Sequence, residues 1–173
     1  MVVGFLSFFL FLVVILPGCV NPGQENPNVD FTFTTLDGQT KQLQEYYGTV
    51  IVLDLMGVNC QPCALEMTQL KQIQTNYSRS DVIIISVDVW ISQGENASLL
   101  RQYLDAFQQQ LHLELNWTFG LDDAKGTIGY AYARSGVPTL YIIDKKGNIY
   151  YTHVGYDSYS LLASKLDELL TKA

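Results

Sequence analysis

Apolar residues in this chain gather in short unbroken runs, separated by stretches where they recur every third or fourth position. Val50 to Met56 is apolar at every position but Asp54, the pattern of a strand covered on both faces. Val82 to Val89 repeats it as a second buried strand. Between the two, from Cys60 to about Tyr77, the residues Cys63, Met67, Leu70, Ile73 and Tyr77 share one helical stripe. A second stripe over Ala97–Leu111 joins Leu99, Leu100, Tyr103, Leu104, Phe107 and Leu111, with Asn96 placed to cap that helix and Ser92–Asn96 as a loop before it. Trp117–Leu121 and Leu140–Asp144 read as strands, Ala124–Arg134 as a modest helix. Asp144 to Asn148 forms a hairpin turn into Ile149–Val154, and Ser158–Lys172 is a closing helix. At the front, Phe31–Thr35 alternates as a half-buried strand, Leu36 to Gln39 turns, and Leu43–Tyr47 makes a short helix or turn. Strands alternating with helices predict an α/β sandwich around a mixed central sheet.

The first stretch falls outside that pattern. Met1 to Leu16 is apolar apart from Gly4 and Ser7, too short for the roughly 20 residues of a membrane span but suited to the hydrophobic part of a signal peptide. Gly18 directly before Cys19, with Leu16 further back, resembles a prokaryotic lipoprotein signal in which Cys19 would carry the lipid. No Lys or Arg precedes the apolar run, so an uncleaved anchor is the alternative. The expected organisation is a leader over 1–18, a polar tether over 19–28 and one domain over 29–173. The folded part is then extracytoplasmic, where disulfides persist. Asn76, Asn96 and Asn116 each begin an N-x-S/T triplet, a weak glycosylation signal.

With 173 residues the chain can build one domain with a real core. Its net charge of −7 and lack of a Lys/Arg cluster argue against nucleic acid or anionic headgroups as partners.

Chemistry concentrates at Cys60-Gln61-Pro62-Cys63, which follows the buried strand and the Gly57-Val58-Asn59 turn and opens a helix. Unpaired amides and the helix dipole at that position favour an anion, and the thiolate is the attacking species. Strand, turn, cysteine pair and helix therefore point to thiol–disulfide exchange. Half of a metal site is the competing explanation, but zinc needs about four ligands, and only Cys19, His112 and His153 remain. An inert structural disulfide is the other. Asp54 and Glu66 stand where apolar residues are expected, and a buried carboxyl has a raised pKa that suits it to carry a proton near neutrality.

Together with Leu36-Asp37-Gly38, the inserted strand–helix around Ser86 to Phe119, and Gly136-Val137-Pro138-Thr139, these residues resemble the thioredoxin superfamily. Within it, the chain is similar to the extracytoplasmic, membrane-tethered thiol–disulfide oxidoreductases of the ResA/TlpA kind, related to peroxiredoxins. The resemblance spans about Val29 to Leu170. It implies a thioredoxin-like three-layer sandwich with an N-terminal hairpin, a redox-active Cys60–Cys63 disulfide, and no metal or organic cofactor. Cys60 would be the exposed nucleophile and Cys63 the resolving thiol. Pro138 would be a cis-proline beside them, and Asp54 or Glu66 the acid that takes the proton from Cys63. Implied partners are protein thiols or disulfides and a membrane electron donor. The implied direction is reduction, as in cytochrome c maturation. Two departures bear on substrate preference and potential: Asn59 stands where an aromatic residue commonly precedes the first cysteine, and Met56-Gly57 where Trp-Gly or Trp-Ala is usual. His112 and His153 read as surface or structural residues, Trp90 and Trp117 as core or groove. A peroxiredoxin-like peroxidase would need a threonine three residues before the cysteine, where Gly57 stands. A copper-delivery protein of similar fold would space its cysteines by three residues and add a histidine, a role for which His153 is the candidate.

Overall fold

A computed structural model describes residues 28–172. The leader, Cys19 and all of the tether except Asn28 lie outside the described residues. Seven strands form a single mixed sheet: β1 Thr32–Thr35, β2 Thr40–Gln42, β3 Val50–Met56, β4 Val82–Asp88, β5 Thr118–Leu121, β6 Thr139–Ile143 and β7 Ile149–Val154. Its order is β2-β1-β5-β4-β3-β6-β7. The helices are α1 Gln61–Asn76, α2 Ala97–Leu111, α3 Thr127–Tyr132 and α4 Tyr159–Thr171. Among the described residues no helix is long and apolar enough to cross a membrane.

β3 runs parallel to β4 and antiparallel to β6, so it has hydrogen-bonded neighbours on both edges and is buried along its whole length. That is why its sequence is an almost unbroken apolar run. Side chains alternate between the two faces. Ile51, Leu53 and Leu55 pack with Phe33, Ile85, Val87 and Ile128 under α3. Val50 and Val52 face Leu70 and Ile73 of α1 and Leu162 and Leu166 of α4. At the carboxyl end of β3 a third cluster joins Met56, Val58, Cys60, Cys63 and Met67 to Leu100 and Leu104 of α2. The inserted helix thus covers the cysteine pair and not the middle of the sheet.

Caps follow from sequence. Asn96 accepts the amides of Ser98 and Leu99 at 3.1 and 3.2 Å, and Ser158 accepts that of Leu161 at 3.4 Å. α3 is shorter than the Ala124–Arg134 helix expected from sequence. Asp123 takes the amides of Lys125 and Thr127, Asp122 takes those of Ile128 and Gly129, and Gly126 has a φ of 71°. The segment before Thr127 is therefore spent on a side-chain-bonded turn. Ile91–Gln93, overlapping the start of the expected Ser92–Asn96 loop, forms one 3-10 turn.

Candidate active site

β3 delivers the chain to the Gly57-Val58-Asn59 turn, and Cys60 then caps α1 with φ −107° and ψ 101°. Its sulphur accepts the Cys63 amide at 3.2 Å. Pro62 sits in the first helical turn, where a missing N–H costs nothing. Cys60 and Cys63 are joined by a disulfide with an S–S length of 2.06 Å and Cα atoms 5.2 Å apart. Cys60 is 5 % exposed and Cys63 fully buried, so an incoming group reaches only Cys60. The Val137 carbonyl oxygen lies 3.7 Å from the Cys60 sulphur, and the Val137–Pro138 bond that follows is cis. The loop before β6 thus lies directly against the cysteine pair.

Asp54 is fully buried, between Val52 and Met56 on the face of β3 that α1 covers. The Ser86 hydroxyl, beside it on β4, donates to its Oδ2 at 2.8 Å, and the Trp117 indole N–H donates to that hydroxyl at 3.0 Å. Its Oδ1 has no protein partner. Burial raises its pKa to about 7, against the opposing effect of Ser86. Glu66, one turn after Cys63, is buried too. Its Oε2 accepts the Asp157 amide at 2.7 Å, and its Oε1 has no protein partner. Burial raises it to about 8; the Asp157 amide pulls the other way, while the carboxylates of Asp54 and Asp157 add to the rise. Both acids named from sequence are thus buried, Glu66 on α1 one turn after Cys63 and Asp54 on the strand face that α1 covers, close enough for the charge of Asp54 to act on Glu66.

A second group of acids lies under the turn, and the sequence reading does not single it out. Glu95, just before α2, reaches back to the turn that carries Cys60. It accepts the amide of Val58 at 2.7 Å and both the amide and the side-chain nitrogen of Asn59 at 3.3 Å. Asp88, at the end of β4, is buried, its Oδ2 has no hydrogen-bond partner, and the nearby Glu95 carboxyl adds to burial in disfavouring its charge. The cue for Asp88 was the same as for Asp54, a carboxylate inside an apolar run. Glu95, in a polar loop, carried none. The partner of Asn59 gives a local reason for a polar residue before Cys60. Trp90 lies flat on the turn: a Cβ on Gly57 would come 2.4 Å from its ring.

The histidines stand apart. His112 ends α2 in a left-handed conformation, exposed. His153 is 42 % exposed, its Nε2 3.7 Å from Asp157. Among the described residues no three His, Cys, Asp or Glu side chains form a group that could hold a metal ion.

Known proteins agree with this geometry. The family model for Redoxin matches residues 21–170. Thioredoxin-like protein YneN of Bacillus subtilis is 29 % identical over 148 residues, 86 % of this chain and 80 % of that protein. Thiol-disulfide oxidoreductase ResA of Bacillus cereus is 26 % identical over 147 residues, covering 85 % and 78 %. A thiol-disulfide isomerase from Corynebacterium glutamicum superposes with a TM-score of 0.70 at 18 % identity, covering 85 % of this chain and 97 % of that one, a likeness of fold. Family, relatives and site converge: the chain belongs to the Redoxin family as one of its thiol–disulfide oxidoreductases.

Proposed function

We propose that the protein reduces disulfides in protein substrates outside the cytoplasm, tethered through its N-terminal segment, with Cys19 as the lipid-bearing residue. In the reduced state the Cys60 thiolate attacks one substrate sulphur, and the other leaves as a thiolate that takes a proton from solvent. The Cys63 thiol then attacks the Cys60 sulphur of the mixed disulfide, giving its proton to Glu66 or Asp54. The second substrate thiol departs, the Cys60–Cys63 bond closes, and two electrons from a membrane donor reset the pair. Pro138 and the Val137 carbonyl line the approach to Cys60 and would present the substrate backbone.

One observation carries the direction. The side-chain charges that act on Glu66 and Asp88 are all carboxylates, and Asp54 is shifted by burial against its Ser86 hydrogen bond, with no Lys, Arg or His acting on any of the three. A thiolate formed here has the helix N-terminus in its favour but no cation among these groups to stabilise it, and each of the buried acids opposes it once ionised. A strong oxidant is one whose reduced form is stabilised. This site does the reverse, so the disulfide is favoured and the dithiol gives up its electrons. The ResA/TlpA resemblance supports the haem-binding cysteines of an apocytochrome c as substrate.

The reduction potential of the pair, equilibrated in thiol/disulfide buffers, tests the direction. A value near or below about −250 mV, in the thioredoxin range, is expected; one near about −120 mV makes the protein an oxidant. Cys19→Ser is expected to release the chain from membranes, and continued membrane retention would remove Cys19 as the lipid site.

A further inference from the structure

We propose that Glu95 is a positioning residue for the nucleophile: its ionised carboxylate holds the Val58–Asn59 turn that aims Cys60, and Asp88 beneath it carries the single proton of the acid pair. The inference rests on the thiol–disulfide reading of the site.

Hydrogen-bond accounting supports it. The turn joining β3 to α1 has no regular structure to satisfy its amides, and a buried amide without an acceptor is costly. Val58 is only 7 % exposed, and Glu95 supplies the acceptor at 2.7 Å. The other Glu95 oxygen takes both nitrogens of Asn59 at 3.3 Å. Two oxygens accepting three N–H groups describe a carboxylate; a protonated acid would have to turn one oxygen into a donor. Asp88 is the opposite case. Its Oδ1 accepts the Trp90 amide at 2.9 Å, while its Oδ2 meets no N–H donor and its carboxyl faces that of Glu95. A proton on Asp88 donated to Glu95 satisfies both side chains, whereas two ionised carboxylates in contact would repel.

The surroundings keep the proton there. Asp122, which follows β5, lies close enough to disfavour a charge on Asp88, and burial of Asp88 acts in the same sense. From α2, the Tyr103 hydroxyl, buried and without a protein partner, feels the charges of both Glu95 and Asp54. No cation is among the groups acting on Asp88 or Tyr103. Trp90, whose amide binds Asp88 and whose ring presses on Gly57, locks the same turn from its other side.

Two near-isosteric variants of the full-length chain separate the roles. Glu95→Gln puts a donor where the turn needs acceptors; Asp88→Asn keeps an N–H where the proposal puts an O–H. The readout is the rate at which reduced Cys60 attacks a small disulfide near pH 6, where Asp88 keeps its proton, divided by the ionised fraction of the thiol, with thermal melting alongside. Glu95→Gln should slow attack about tenfold and Asp88→Asn at most about twofold. Equal damage from both, or greater damage from Asp88→Asn, overturns the assignment of the proton. A Glu95→Gln protein that melts earlier yet attacks at the normal corrected rate makes Glu95 merely structural and overturns its positioning role. If Glu95→Gln is unfolded at the assay temperature, Asp88→Asn decides alone, since an ionised Asp88 would predict a tenfold loss there. Failure of the underlying redox reading looks different: the unaltered chain would then form no reversible Cys60–Cys63 disulfide.

Discussion

Cys63 and Cys60 are one disulfide, but the two sulphurs stand on differently built ground. Asp54 on β3 and Glu66, one turn after Cys63, each have one hydrogen-bonded oxygen and one with no protein partner. Beneath the turn that carries Cys60, Glu95 has both oxygens occupied, by three N–H groups. A carboxyl with a free oxygen and a pKa near neutrality can take up or release a proton. One saturated by amides can only hold them in place. On the proposed mechanism the resolving side would move a proton and the attacking side fix a direction, the division that a two-step exchange requires.

The largest expected effect tests the first half of that contrast through stability. Asp54 goes from an ordinary 3.8 to about 7 on folding, and Glu66 from 4.5 to about 8. Between those values the folded protein holds protons that the unfolded chain has released, so stability falls as pH rises. For the oxidised protein, unfolding free energy should be highest near pH 4 to 5, decline up to about pH 8 and level off beyond. Asp54 alone contributes up to about 4 kcal/mol to that decline. Denaturant titrations at several pH values check it, and Asp54→Asn and Glu66→Gln should each remove part of the slope. A stability that rises from pH 5 to 8 would mean that these acids are not held protonated.

Next in size is a kinetic separation of the two sides. Glu66→Gln keeps the shape and the acceptor for the Asp157 amide but cannot take a proton. Attack by Cys60 should proceed nearly unchanged, while release of the mixed disulfide by Cys63 slows about a hundredfold, the low end for loss of a general base. Rapid-quench trapping of the mixed disulfide distinguishes the steps. If the first step slows instead, Glu66 serves Cys60 and the contrast collapses.

How much of this could be read from the chain depends on how local each signal is. Val50–Met56 and its Asp54 were plain, because an acid in an apolar run stands out in one dimension. Glu66 needed its spacing from Cys63. Ser86 and Asp88 break the second buried run in the same way, but the run by itself signals only a strand. β2, with three residues, is too short to show a period, so the hairpin was expected without its return strand. Glu95 and Asp157 were out of reach, since each acts on a residue distant in sequence, Glu95 on Val58 and Asp157 on Glu66. The sequence departure at Asn59 was visible, but its reason, a side-chain bond to Glu95, exists only in three dimensions.

A smaller effect probes the rigid side. Gly57→Ala would put a methyl group 2.4 Å from the Trp90 ring, so the turn or the indole must shift. The expected cost is about 1–3 kcal/mol, the usual range for overpacking. Trp90→Ala in the same chain should relieve most of the added cost, giving a favourable coupling in a double-mutant cycle. Simple additivity would show that Trp90 does not clamp the turn.

The smallest effect concerns the one imidazole near the proton-handling side. His153 approaches Asp157, whose amide binds Glu66, yet it is 42 % exposed and 3.7 Å away, the geometry of a weak surface pair. If proton transfer belongs to the buried acids, His153→Ala should leave the release step within about twofold and stability within about 0.5 kcal/mol. The same variant addresses copper. A metal-delivery role would need His153 beside the two thiols, and copper titration of the reduced chain should give the same affinity with and without it. A tenfold loss of copper affinity, or of the release rate, would bring His153 into the site. The resolving side would then rest on a solvent-facing base as well as its buried acids.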